Sequence, residues 1–239
     1  MSRRWQQVRH QLRRNRPAQF SLFVLFIFVI AALCAGLSPY DPDRMALGAR
    51  TLPPDAAHWF GTDEYGRDYF TRALYGGQIS LMVGFLAMLF STLIGTVVGT
   101  VSGYFGGWLD NLMMRAVDIL MAIPAFFLLL VVNAYLKPGV DNIILIISLL
   151  TWMNMSRLVR AETLSVKERE YVLYARASGE HPLRIIVRHI IPGVLPTIIV
   201  AATLNIASAI LMESTLSFLG LGVQAPAASW GSMLNNAQS

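Results

Sequence analysis

Long apolar blocks separated by short polar stretches dominate the chain, and the block lengths predict its architecture. Residues 20–37 form 18 positions without a charge, residues 79–101 form 23, and residues 194–212 form 19, interrupted by Pro196 and Asn205. Residues 112–136 add 25 positions whose only charges, Arg115 and Asp118, lie near the start. A helix needs about 20 apolar residues to cross a hydrocarbon core about 30 Å thick, so these four blocks read as spans. Residues 142–159 are weaker, because the clean apolar run covers only Ile143 to Met155, a length typical of a buried or re-entrant helix.

The charges decide that fifth block. Only 14% of the 239 residues are charged and 55% are hydrophobic, whereas about a quarter of a soluble domain is charged. The expected fold is therefore all-α and polytopic: a membrane domain over residues 20–239 behind a basic N-terminal segment, residues 1–19. A cleaved signal peptide fits poorly, since no A-x-A pattern follows the first block. Of the 19 Lys and Arg residues, six precede Phe20 and seven lie between Arg157 and Arg188. By the positive-inside rule both segments face the cytoplasm, which requires an even number of crossings between them. Residues 142–159 then count as the fourth of five spans. Residues 38–78, with four arginines against six acids, face outward. Alternation places residues 104–111 inside, and residues 137–141 and the tail outside. Because the net charge of +5 follows this topological bias, nucleic acid is not an expected partner.

The inventory of reactive side chains excludes several functions. Cys34 is the single cysteine, and His10, His58, His181 and His189 are scattered. There is no H-x-x-x-H, no C-x-x-C and no phosphate-binding G-x-x-x-x-G-K-[ST], so no catalytic residue and no metal site is expected. If ATP is used, another chain binds it. Gly95, Gly99 and Gly103, extended by Ser91, make a stripe nearly free of side chains, which suits close packing of helices inside the subunit or at a dimer interface. Arg115 and Asp118 share a helical face and are positioned to pair. Asn205 and Ser208, one turn apart, and Glu213 at the outer end of the last block are pathway candidates, with helix–helix adhesion or contact with water as the plainer readings.

One charged island interrupts the apolar pattern. Residues 161–177 are good helix formers, Gly179 breaks the helix, and Pro182 suits the first turn of another. In the second helix Leu183, Ile186, Val187 and Ile190 fall on one face, with Arg184 and Arg188 on another. Such a surface lies on membrane headgroups or enters a groove on a partner protein.

The stretch EYVLYARASGEHPLRIIVRHIIP, with Ala175, Gly179 and Pro192 in the spacing A-x-x-x-G followed by Ile-Pro, resembles the EAA loop of bacterial ABC importer permeases. The motifs GTDEYGRD at 61–68, GYFGGWLDNLMMRAVDILMAIP at 103–124 and ESTLSFLGLGVQAPAASWG at 213–231 are similar to those of the C-type permease of dipeptide, oligopeptide and nickel importers. Leu173 and Tyr174 stand where that family has Glu and Ala, while Glu170 is retained three residues earlier. His189 replaces an aliphatic residue and Gln78 an arginine. The family pattern has a sixth span, which this sequence is expected to lack.

The resemblance implies the type I transmembrane fold of these importers in a bacterial inner membrane, with the N-terminus in the cytoplasm. It implies that Glu170, Ala175, Gly179, Leu183, Ile186, Val187, Ile190 and Pro192, within the loop 160–192, couple the subunit to cytoplasmic ATPases. Its implied partners are a homologous second permease, two ABC ATPases that use ATP and Mg, an extracytoplasmic solute-binding protein and the lipid bilayer. The cargo is a small peptide, with nickel as the alternative within the family. A self-sufficient channel or secondary transporter is the alternative from another class.

Overall fold

The computed structural model describes residues 14–135 and 139–237. Most of the basic N-terminal segment and part of the expected 137–141 loop lie outside the described residues. The helices are α1 (Arg16–Leu33), α2 (Tyr69–Phe105), α3 (Gly107–Ala122), α4 (Ala125–Tyr135), α5 (Val140–Val166), α6 (Glu170–Ala177), α7 (Pro182–Ile185), α8 (Ile191–Phe218) and α9 (Trp230–Asn236). A π-helical turn, Ile186–Ile190, joins α7 to α8. Among the described residues the only β pairing is one isolated bridge, Thr62 to Asp68.

Among the described residues four helical stretches are long and apolar enough to cross a membrane: Arg16–Leu37, Tyr69–Phe105, Val140–Val166 and Pro182–Phe218. The single span expected over residues 112–136 is not among them. It is two helices, of 16 and 11 residues, separated at Ile123 and Pro124. Ile123 is extended, with φ −81° and ψ 123°, because the proline ring after it disfavours helical backbone. Neither piece alone reaches the length of a bilayer core.

Helix α5, the weak block in the sequence, is instead the centre of the bundle. Of its most apolar 18 residues 56% are buried, against 11% for α1. A helix surrounded by other helices can carry Ser148, Thr151 and Ser156, whose hydroxyls donate back to carbonyls of the preceding turn. A helix surrounded by lipid has no such latitude, and α1 is accordingly a nearly unbroken apolar run.

The glycine stripe of α2 is what brings α5 into place. A Cβ on Gly95 would lie 2.6 Å from Met155 Cβ, one on Gly99 2.5 Å from the Ser156 carbonyl oxygen, and one on Gly103 2.8 Å from Thr163 Cβ. Of the two uses the sequence allows, packing within the subunit is therefore the one realised. In lipid, where apolar burial drives helices together little, this close backbone approach is the main source of adhesion. The pairs also show that α2 and α5 run parallel, so α3 and α4 must carry the chain back along their length. Helix α8 is antiparallel to both, with Gly84 near Ile210 and Val166 near Gly193.

Two apolar clusters result. One, toward the N-terminal ends of α2 and α5, contains Val83, Ala87, Ile143, Ile147, Ala209 and Leu216. The other, at the opposite end, contains Met155, Val159, Val166, Val172, Ile185, Ile190 and Val194. The second cluster is the floor on which the charged island rests.

Candidate functional site

The island is a hairpin of two short helices. Glu170 opens α6, where a negative charge favours the helix N-terminus. At the other end the Gly179 N–H donates to the Arg176 carbonyl at 3.1 Å and the Glu180 N–H to the Ala175 carbonyl at 3.1 Å. This is the Schellman arrangement, which needs a residue with positive φ just past the helix; Gly179 has φ +74°. The chain reverses there and Pro182 starts α7. Pro192, ten residues on, lacks an N–H and its ring crowds the carbonyl four residues back. The ladder just before it loosens accordingly, and the Ile191 N–H donates five residues back, to Ile186.

The hairpin has a packed side and an open side. Val172, Ala175, Ile185, Ile186 and Ile190 are buried against α5 and the start of α8. Tyr174 is 75% exposed, Val187 64% and Leu183 60%, with Leu173 and Tyr171 partly exposed beside them. The single apolar face expected from Leu183, Ile186, Val187 and Ile190 is thus divided: Ile186 and Ile190 face the core, whereas Leu183 and Val187 face outward. Ile185 joins the buried side, and the wider π turn shifts the register of the side chains that follow it. Glu170, Gly179 and Pro192 are exposed and Ala175 is buried.

Polar contacts fix the hairpin to its surroundings. Glu180 and His189 meet across the elbow, Oε2 to Nε2 at 3.0 Å, with Arg184 at 4.0 Å from the same carboxylate. The Arg176 guanidinium lies over the Tyr104 ring at 5.8 Å, and Lys167 Nζ donates to the Gly103 carbonyl at 3.0 Å. Beneath them Arg160 of α5 donates through Nε and a terminal nitrogen to both oxygens of Asp110 of α3, each at 2.6 Å. The Arg160 bonds outweigh the effect of burial and, with Ser102, hold the Asp110 carboxyl below the usual aspartate range. Asp118 is bonded by Arg157 of α5, so the pairing expected with Arg115 on its own helix is replaced by one between helices.

The pathway candidates do not gather at one site. Asn205 Nδ2 donates to Ser91 Oγ at 2.7 Å, joining α8 to α2. Ser208 is exposed and donates to its own helix, at the Leu204 carbonyl. Glu213 does not reach water; it is fully buried between α2 and α8. No group of three or more His, Cys, Asp or Glu suited to a metal occurs among the described residues.

Several participants escaped sequence reasoning. Leu173 and Tyr174 looked like departures from a motif, yet they extend the open apolar surface. An aromatic at 174 inside a charged stretch was the available signal. Glu180 with His189 and Asp110 with Arg160 are separated by 9 and 50 residues, and no periodic pattern links such positions.

Comparison with known proteins agrees with this architecture. Residues 95–239 match the family described as binding-protein-dependent transport system inner membrane component, and residues 3–54 match the N-terminal transmembrane domain of oligopeptide transport permease C. The dipeptide transport system permease protein DppC of Bacillus subtilis is 44% identical over 227 residues, 95% of this chain and 71% of that one. The oligopeptide transport system permease protein OppC of Escherichia coli is 43% identical over 235 residues, 97% of this chain and 78% of that one. OppC of Bacillus subtilis is 38% identical over 233 residues, with 97% and 76% covered. A multi-pass helical bundle that matches these permeases across almost its whole length belongs to the inner-membrane permease family of binding-protein-dependent ABC peptide transporters.

Proposed function

We propose that this chain forms half of the translocation pathway of an ATP-driven importer for small peptides, and that the α6–α7 hairpin is its grip for a cytoplasmic ATPase. The observation that carries the reading is the divided hairpin: Tyr174, Leu183 and Val187 stand exposed on an element whose other side is anchored in the core. Apolar side chains on a charged segment outside the bilayer gain most by entering a partner's groove. The basic residues around them keep the segment at the cytoplasmic surface, with the N-terminus on the same side. A homologous second permease completes the pathway, two ATPases use ATP and Mg, and an extracytoplasmic solute-binding protein delivers the cargo. Relatives named for dipeptides and oligopeptides support peptides over nickel.

A channel or secondary transporter is less well supported. Such a protein moves ions along intramembrane charges, whereas here Asp110, Asp118 and their arginines neutralise one another between helices.

Replacing Leu183 and Val187 together by Glu tests the reading. Both side chains face outward, so the subunit should reach the membrane in normal amount while ATPase co-purification and dipeptide uptake are lost. Unchanged co-purification and uptake would rule the hairpin out as the grip.

A further inference from the structure

The outer end of the bundle holds a buried acid that motor docking does not explain. Among the described residues no basic side chain pairs with Glu213; its partners are hydroxyls. Ser80 Oγ of α2 donates to Oε2 at 2.8 Å and Ser217 Oγ donates to Oε1 at 2.7 Å, with Ser214 Oγ at 3.4 Å from Oε2. Both nearer serines also accept. Ser80 Oγ receives the Trp230 backbone N–H at 3.3 Å, and Ser217 Oγ receives that of Val223 at 3.0 Å. Those two amides belong to the tail that folds back over the outer ends of α2 and α8. There Trp230 Nε1 donates to the Ala73 carbonyl at 3.1 Å and Tyr69 Oη to that of Met233 at 3.2 Å.

We propose that Glu213 is a positioning residue for transport, clasping the outer tail to α8 through Ser80 and Ser217. A carboxylate is the side-chain group here that offers two acceptor oxygens and no donor. Each serine is thereby turned to give its hydrogen to Glu213, leaving its oxygen lone pairs to the tail amide. A glutamine of the same shape offers one accepting oxygen and one donating nitrogen, so one serine loses its acceptor and turns away. Helix α8 makes this clasp mechanical. With α7 and the π turn it is a single 37-residue rod, about 55 Å long, bearing Leu183 and Val187 at one end and Glu213 near the other. Displacement of the hairpin then reaches the outer tail through one helix and one carboxylate.

The transport part of this inference rests on the proposed coupling role, whereas the clasp does not. The test is amide hydrogen exchange of the importer complex in lipid nanodiscs, resolved at residues 223 and 230, with peptide uptake and ATPase co-purification measured on the same variants. Glu213→Gln should speed exchange at one of the two amides, the one held by the serine that faces the new side-chain nitrogen, by about tenfold, the worth of the serine–carboxylate hydrogen bond lost. Ser80→Ala should speed only residue 230, and Ser217→Ala only residue 223, a division that a general loss of packing would not produce. Uptake by Glu213→Gln should fall while its ATPases still co-purify. Unchanged exchange at both amides in Glu213→Gln, or serine variants that loosen both alike, overturns the clasp. Full uptake by a Glu213→Gln protein with that amide freed overturns the positioning role. Failure of the unsubstituted chain to bind ATPases would count against the coupling reading alone, since the exchange pattern would stand.

Discussion

Asp110 and Arg160 form a two-pronged ion pair, 2.6 Å at each prong, that ties the short helix α3 to the central helix α5 beneath the hairpin. Asp110 is buried, so removal of either partner strands a charge. Asp110→Asn should lower stability by about 1–3 kcal/mol, seen as a lower Tm in detergent. The pH dependence has a definite sign. The folded carboxyl titrates below its unfolded value, so its contribution is full above the unfolded pKa and is lost as pH falls through the lower, folded one, below about pH 4. The Asn variant should not show that acid-side loss.

At the start of α2, Asp68 follows the same rule. Burial alone would raise its carboxyl, but hydrogen bonds from the Thr71 hydroxyl and N–H, and the His58 ring at 2.8 Å, hold it below the ordinary range. Asp68 is also the N-cap of α2. Asp68→Ala should cost about 1 kcal/mol through the cap, and the contribution it removes is again one lost below about pH 4. Hydrogen exchange in the first turn of α2 is the measurement, and unchanged protection there would contradict the assignment.

Gly99 should tolerate no side chain. Its Cβ would lie 2.5 Å from the Ser156 carbonyl oxygen and 2.8 Å from Val159 Cβ, and backbone cannot swing aside as a flexible side chain can. Gly99→Ala is expected to destabilise by about 1–3 kcal/mol. Gly139→Ala, with nothing within 4 Å of the new atom, should stay within about 0.5 kcal/mol of the original. Equal effects of the two in a thermal melt would show that α2 and α5 are not held by close approach.

At Gly179 there is ample space, with no atom within 4 Å of a Cβ, and the constraint is the backbone, φ +74°. Gly179→Ala should cost about 1–2 kcal/mol locally, as for any L-residue forced into that region, and Gly179→Asn less, because Asn tolerates it. Under the coupling role proposed here, uptake should fall in the order Gly, Asn, Ala, Val at this position. A flat series would mean that the reversal is not needed for coupling. Gly179→Asp should lower both uptake and ATPase co-purification, and their survival unchanged would sink the coupling role.

Asn205 and Ser208 should separate although they are neighbours on one helix. Asn205→Ala removes a 2.7 Å bond between α8 and α2 and should destabilise by about 0.6 kcal/mol, the usual worth of such a bond in a membrane protein. Ser208→Ala removes only a bond within α8 and should leave the melt unchanged, so that any effect on uptake reports on the exposed face of that helix.

Much of this organisation can be read along the chain because its causes are local. Block length identifies α1, α2 and α8, since a bilayer sets a minimum length for a helix that crosses it, whereas the block at residues 112–136 is broken at Pro124. Glycine at 179 followed by proline at 182 announces a reversal, because no other pair of residues is so constrained in opposite ways. The four-residue glycine spacing announces close packing of α2, although the partner helix is not encoded in it.

Other features depend on what lies nearby in space. Helix α5 looked the least like a span because it is wrapped by protein, and only assembly replaces its lipid with helices. Leu183 and Ile186 are equally apolar, yet one faces outward and the other inward, because the position of α5 decides which side of the hairpin is covered. Glu213 gave no sequence sign of being buried; the tail that buries it begins after it and returns from 17 residues away at Trp230. Hydrophobic periodicity and turn chemistry act over a few residues and so are written in the sequence, whereas ion pairs and buried hydrogen bonds between distant segments are chosen only when the packed helices bring them within reach.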